Sequence, residues 1–285
     1  MLTITFYGVR GSTPCSCDRT REFGGNTSCV LVDVPGEPPL ICDIGTGARY
    51  LGHDLCNRAG QGANKAGLDA TVLLSHLHWD HIQGIPFFRP LLGADTVIDV
   101  LGPAQPGSSL SQELCKFIHP PAFPVGLADL PGRITCREVE NETITVGSAT
   151  VTCFAVPHVG PTNGYRIDRG AASVAYVSDH QQPLDASLEP DPAVVQACRG
   201  VDVLIHDAQY DNREFAERST WGHCTIEFAA EVARRAEVRR LVLFHHDPTH
   251  DDHWIRSAVS HAQDLLGDTV QVIGAAEGLT LTSGQ

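Results

Sequence analysis

Leu74-Ser75-His76-Leu77-His78-Trp79-Asp80-His81 closes an apolar run, Ala70-Thr71-Val72-Leu73-Leu74, and sets four metal-binding side chains within six residues. The run has the length and content of a buried strand, and the ligands follow where strand gives way to loop. His76 and His78 are two apart, so in extended chain their side chains point the same way. Asp80 and His81 lie past the turn and can face a second point. This spacing suits two metal ions side by side, with two histidines for one and an aspartate plus a histidine for the other. A loop that is His-rich by chance is the alternative, and the density of ligand types argues against it.

The 285 residues can form one large domain or two small ones, and suffice for a substantial core. The formal charge of −14, from 34 acidic against 20 basic residues, argues against tracking a long nucleic acid, where Lys and Arg must neutralise phosphates. A small anionic substrate held by metal ions stays compatible with it. The ten cysteines are scattered, and only Cys15 and Cys17 are close. No disulfide framework or zinc-finger spacing results. Cys29, Cys42 and Cys153 sit in strand-like runs and read as small core residues. A reducing, cytoplasmic setting is expected. Met1 to Tyr7 alternates like a strand, so neither a signal peptide nor a membrane span is expected.

Further strands are expected at Thr27–Val34, Leu40–Asp43, Thr96–Val100, Ile134–Val139, Ala149–Ala155, Gly164–Ile167, Ala172–Val177, Val201–Ile205, Leu241–Phe244, Val270–Ile273 and Leu279–Leu281. Gly45-Thr46-Gly47 leads into a helix, and Gly60 to Gly67 reads as loop. Helices are expected at Thr225–Ala236 and Trp254–Leu266, each with apolar residues on one face. Residues 102–133 hold six prolines and a short helical piece near Ser111–Phe117. They form the best candidate for a lid or substrate-facing insertion, a plain surface excursion being the alternative. No long linker divides the chain, so a single domain over 1–285 is expected. Two strand-rich halves with few helices suit an α/β fold of two packed sheets with helices outside, a four-layer αββα sandwich, though composition alone does not separate it from other α/β layouts and the motifs must decide.

Several strands end on ligand-capable residues: His158 after the strand ending near Val156, Asp179 after Val177, and His245 after Phe244. Rigid strand ends are where sheet proteins gather active sites. Taken with the His76 loop, these residues resemble those of the metallo-β-lactamase-fold hydrolases. His76, His78, Asp80 and His81 match their signature, and His158, Asp179 and His245 match the further ligands. Asp43 matches an early aspartate that supports the ligands. Gly8-Val9-Arg10-Gly11-Ser12-Thr13-Pro14, Gly25-Asn26-Thr27-Ser28 and Asp43-Ile44-Gly45-Thr46-Gly47 resemble ribonuclease Z and its phosphodiesterase relatives. His206-Asp207-Ala208-Gln209 is similar to their His-Glu-Ala-Thr motif, and Gly222-His223-Cys224-Thr225 to their His-Ser-Thr motif.

The resemblance implies a dinuclear metal-dependent hydrolase. His76, His78 and His158 would bind one ion, Asp80, His81 and His245 the other, and Asp179 would bridge. Zinc is expected, with manganese or iron accepting the same ligands. Such a pair supports attack by a bridging hydroxide. His223 would assist proton transfer or phosphate binding, and Asp207 would orient it or a ligand histidine. The leading expectation is a phosphodiesterase acting on a small substrate such as a cyclic nucleotide. A hydrolase of a lactone or thioester is the second reading, and a non-catalytic or redox-sensing domain the third. Iron-binding redox members carry Glu in place of the second motif histidine, which His78 argues against. Ribonuclease Z carries a protruding tRNA-binding arm between the third ligand histidine and the bridging aspartate. Here only twenty residues separate His158 from Asp179, room for a hairpin and no arm. A homo-oligomer is compatible with all three readings. Of the other histidines, His180 is expected at the surface and His246 facing away from the site. His206 is expected in packing, His119 beside a substrate pocket, and His250 to His253 in a solvated helix entry.

Overall fold

The computed structural model describes residues 1–58 and 67–284; the loop expected at 60–67 falls almost wholly outside them. In chain order the strands are β1 (Leu2–Gly8), β2 (Cys29–Asp33), β3 (Leu40–Cys42), β4 (Asp69–Leu73), β5 (Val97–Gly102), β6 (Arg133–Glu138), β7 (Thr143–Val146), β8 (Ala149–Ala155), β9 (Asn163–Arg169), β10 (Ala172–Val177), β11 (Val203–Asp207), β12 (Arg240–Phe244), β13 (Gln271–Gly274) and β14 (Thr280–Ser283). They form two seven-stranded sheets, ordered β14-β1-β2-β3-β4-β5-β6 and β13-β12-β11-β10-β9-β8-β7. In the first sheet β3, β4, β5 and β6 are mutually parallel. In the second, β10 to β13 are parallel, and β9 pairs antiparallel with both β8 and β10. Strands β8 and β10 therefore run the same way, so Ala155 and Val177 end at the same edge.

Strand alternation sorts the side chains into three apolar layers. Val30, Val32, Leu40 and Leu73 of the first sheet meet Tyr165, Ile167, Val174, Tyr176 and Phe244 of the second in the central core. The opposite faces carry Leu31, Ile41 and Val72 on one side and Ala175, Val177 and Leu204 on the other. Helices α1 (Ala48–Arg58), α2 (Trp79–Ile82) and α3 (Leu110–Phe117) belong to the first half. Helices α4 (Pro192–Ala197), α5 (Asn212–Arg218), α6 (Ile226–Arg235) and α7 (Asp252–Leu266) belong to the second. Leu51 and Leu55 of α1, with Leu110 and Leu114 of α3, cover the first sheet. Ile226, Ala229, Ala230 and Ala233 of α6 lie at helical spacing over the second, beside Ala258 and Ala262 of α7. The result is the expected αββα sandwich.

Four of the named elements lie beyond the sequence-based expectation: β7, α4, α5 and the single-turn α2, which takes up the second half of the ligand loop. β7 is a four-residue strand whose residues alternate between exposed and half-buried, too weak a pattern to read. α4 and α5 are one to two turns long, but α5 carries a legible start signal: Asp211 accepts from Glu214 N, and the Glu214 side chain returns to Asp211 N. Residues 103–132 join the parallel neighbours β5 and β6, and such a pair needs a crossover. Ser109 caps α3 with a reciprocal contact from Gln112, and Phe117 closes edge-on against Trp79 at 4.7 Å between ring centroids.

Arg10 is fully buried after β1. Its Nε donates to the Gly24 carbonyl (2.7 Å), and its Nη1 to the carbonyls of Asp247 (3.1 Å) and His250 (2.7 Å). It staples the loop after β1 to the segment after β12. Arg10→Ala leaves three carbonyls short of a charged donor, each such bond contributing about 1.5–3 kcal/mol. The variant is expected to lose about 3 kcal/mol or more in urea unfolding; a loss below about 1 kcal/mol would mean water replaces the staple.

Candidate metal centre

The parallel strands deliver their following residues to one edge: Asp43 after β3, the His76 loop after β4, Asp179 after β10, Asp207 closing β11 and His245 after β12. His158 arrives from β8. Four overlapping groups of ligand atoms form there: His76, His78 and His158; His76, His81 and Asp179; Asp80, His81 and His245; and Asp179, His223 and His245, each within 4.8 Å. Asp179 is the hub. Its carboxylate oxygens stand 3.8 Å from His76 Nε2, 3.2 Å from His81 Nε2, 3.9 Å from His158 Nε2 and 3.5 Å from His245 Nε2. Asp80 Oδ2 lies 3.1 Å from His245 Nε2 and 3.3 Å from His81 Nε2. On the other side His78 Nδ1 and His158 Nε2 approach to 3.1 Å. All seven sequence-proposed ligands are thus brought together.

The donor atoms fit divalent cations. His76 Nε2 and Asp179 Oδ1 are buried and lack a hydrogen-bond partner, a costly condition for groups that face only one another. Inward-pointing imidazole and carboxylate donors, with no thiolate, suit zinc and equally manganese or iron. Most ligand histidines are aimed by a contact on the other ring nitrogen. Asp43 Oδ2 accepts from His81 Nδ1 (2.6 Å), the Gly222 carbonyl accepts from His158 Nδ1 (2.7 Å), and Gln209 Oε1 accepts from His245 Nδ1 (2.8 Å). Ser75 Oγ lies 3.0 Å from His76 Nδ1. Ser12 N donates to Asp80 Oδ2 at 2.6 Å. Ser12 (φ +61°), Asp43 (φ +56°) and His245 (φ +59°) all adopt the left-handed backbone region, unusual for non-glycine residues and concentrated at functional sites. Gly222 (φ +97°) lies flat against His158, where a Cβ would stand 2.3 Å from Cε1.

Burial and mutual charge set the protonation. Burial pushes His76, His78 and His158 down, His158 to about 4, so these rings are neutral and able to coordinate. Burial opposes charge on Asp179 and Asp80 too, but the neighbouring imidazoles outweigh it and hold both carboxyls well below the usual range. His81 and His245 are raised because Asp80 and Asp179, with Asp43 beside His81, overcome their burial.

His223 sits at the edge of the cluster. Its Nδ1 lies 3.0 Å from Asp207 Oδ2, and its ring stacks on His245 at 5.0 Å. Asp207 also accepts from the backbone of His180 (3.0 Å) and Gln209 (2.9 Å), which locks the carboxylate. Asp207 thus contacts His223 and none of the ligand rings. Two expectations are corrected. His180 is fully buried, not superficial: its Nδ1 meets His206 Nε2 at 2.9 Å and its ring packs edge-on to Phe228. A histidine following a strand-end ligand is drawn inward with the backbone that positions Asp179. His250 is buried as well, stacked on Trp254 and 2.7 Å from Glu214; only His253 of that segment is exposed. His246 faces away and donates to the Ala275 carbonyl (3.0 Å). His206 packs in the interior, and His119 is exposed on the crossover against the Pro120 carbonyl, outside the cluster. Sequence reading missed Ser75, Tyr176, Gln209, Gly222 and Ser12 as supports. Four of them lie inside or beside quoted motifs, and that proximity was the available signal.

Residues 45–246 match a family model described as a beta-lactamase superfamily domain. The chain is 30% identical to a ribonuclease Z of Methanopyrus kandleri over 86% of both chains. It is 24% identical to a ribonuclease Z of Porphyromonas gingivalis over 70% of this chain and 78% of that one. Among solved structures, the metallo-β-lactamase fold protein YhfI from Bacillus subtilis superposes with a TM-score of 0.73 at 20% identity, covering 99% of each chain. A diphosphatase from the PhnP family gives 0.69 at 18%, covering 99% of this chain and 98% of that one. Zinc-bound PqqB from Methylobacterium extorquens gives 0.69 at 20%, covering 98% and 99%.

Two measurements follow. Cation loading competes with protons for His81 and His245, which their carboxylate neighbours make easier to protonate than a free imidazole, so apparent affinity should weaken as pH falls. Calorimetry in buffers of different ionisation enthalpy should show net proton release; uptake without release would contradict this charge arrangement. Gln209→Ala frees His245 to rotate and should weaken metal affinity about 10- to 100-fold, read by competition with a chelating dye.

Proposed function

Because this chain belongs to the beta-lactamase superfamily domain family and is a metallo-β-lactamase-fold hydrolase related to ribonuclease Z, we propose that it cleaves small phosphodiesters, a cyclic nucleotide being the leading candidate. The observation that carries this reading is the His223–Asp207 pair standing at the edge of the ligand cluster. Two divalent cations, most simply zinc, would be held by His76, His78 and His158 and by Asp80, His81 and His245 across Asp179, and would supply an activated water and Lewis-acid stabilisation of a phosphoryl group. Asp207 accepts the Nδ1–H of His223 and so aims Nε2 away from itself. In its doubly protonated form His223 can donate from Nε2 to a phosphoryl or leaving oxygen, where a charged donor counts most as negative charge builds.

Size and charge support a small anionic substrate. The residues between His158 and Asp179 are used up by the β9–β10 hairpin, which turns at Gly170, leaving no projecting arm. The net charge of −14 disfavours a long nucleic acid. No helix among the described residues is long and apolar enough to cross a membrane.

The test is a substrate panel on metal-replete protein: bis-p-nitrophenyl phosphate, 2′,3′- and 3′,5′-cyclic nucleotides, a lactone and a thioester. Turnover of the diesters is expected, and turnover of the lactone alone would falsify the phosphodiesterase reading. Asp80→Ala should abolish turnover. His223→Ala should keep its metal and lower kcat on diesters about 10²–10⁴-fold; an unchanged kcat would remove His223 from the chemistry.

A further inference from the structure

The metal centre is closed on most sides and open on one. His76, His81, His158, Asp179 and His245 have side chains at most 2% exposed, whereas His78 is exposed. The next residue is Trp79, 61% exposed. Two contacts set its orientation. Its indole N–H donates to Gln83 Oε1 at 2.7 Å, and Phe117 packs against it edge-on, 4.7 Å away and 85° to its plane. Phe117 belongs to α3 of the Pro-rich crossover, which also sets Phe123 edge-on against the exposed Phe87 at 6.0 Å. A solvent-exposed ring held by two contacts therefore follows directly in the chain on the exposed ligand of the cluster, and a segment with no part in the metal site packs against it.

Holding an indole in water in one orientation is unfavourable for folding and favourable for recognition, because a pre-oriented ring loses little entropy on stacking. Taking the phosphodiesterase reading as its basis, we propose that Trp79 is a stacking platform for a flat aromatic group, a nucleobase, carried beside the scissile phosphate, and that Phe117 is its positioning residue. The substrate class narrows accordingly from small phosphodiesters to nucleotides. The Pro-rich crossover then acts as a fixed wall of the substrate site. Stacking is tolerant of base identity, since every base has a π-face, so the platform favours nucleotides as a class over base-free diesters and discriminates little among bases.

The test compares a nucleoside 2′,3′-cyclic phosphate with glycerol 1,2-cyclic phosphate, which has the same five-membered diester and no base. In Trp79→Ala the ratio of kcat/KM for the nucleotide over the base-free diester should fall about 5- to 150-fold, the loss of one stacked base. Trp79→Phe should keep most of that ratio, and Phe117→Ala should lose part of it. A second readout needs no turnover: adenosine monophosphate added to metal-loaded protein should quench tryptophan fluorescence, and Trp79→Phe should remove that quench. An unchanged ratio in Trp79→Ala, a quench that survives in Trp79→Phe, or metal loss in Trp79→Ala would each overturn the platform, the last by making Trp79 a packing residue of the ligand loop. If the wild-type protein cleaves neither diester, the phosphodiesterase reading fails, and the quench alone still decides whether Trp79 receives a base.

Discussion

One buried carboxylate holds the molecule's two halves in register. Asp43, fully buried after β3, accepts from Ser75 N (2.7 Å), Ser75 Oγ (2.8 Å), His81 Nδ1 (2.6 Å) and Tyr176 OH (2.7 Å). Ser75 and His81 belong to the ligand loop of the first sheet, and Tyr176 to β10 of the second. A buried charge is tolerable only when its lone pairs are occupied, and these donors occupy them only when the sheets pack at one offset. Core packing and ligand geometry are therefore one constraint: a slip between sheets would strand Asp43 and misaim His81 together.

The same economy recurs around the cluster. Each ligand ring except His78 has one nitrogen turned toward a protein partner and the other toward the centre. Backbone supplies part of this support. The Gly222 carbonyl serves His158 only because the absent Cβ lets the chain lie against the ring, and the left-handed conformations of Asp43 and His245 turn side chains inward immediately after a strand. Such conformations cost of order 1–3 kcal/mol each and persist where surrounding contacts over-determine them. His78 lacks that support and is the ligand exposed to solvent.

The strands that were legible include those that read as near-continuous apolar runs because both faces are buried, such as β2, β10 and β12. β7 escaped because an edge hairpin strand is held by its neighbour rather than by its own pattern. Among the histidines, spacing could identify ring types at strand ends but could not say which way a ring turns. His180 and His250 were expected outside because polar neighbours surround them in sequence. Tertiary partners, His206 and Phe228 for one, Glu214 and Trp254 for the other, draw them inside.

What the chain's linear order determined by itself was the ligand chemistry and the strand and helix segments: a histidine-rich loop at a strand end, later ligand types each following a strand, and helical faces of matching period. These are local regularities, written in periods of two and 3.6 residues. The sandwich layout came with the family resemblance of the motifs. What only the tertiary structure decided was convergence and support. The Asp179 hub, the pairing of Asp207 with His223, the Gln209 and Gly222 contacts and the bracing of Trp79 by Phe117 all join residues far apart in sequence. Their distances depend on how two sheets and a crossover pack, and no local pattern encodes that.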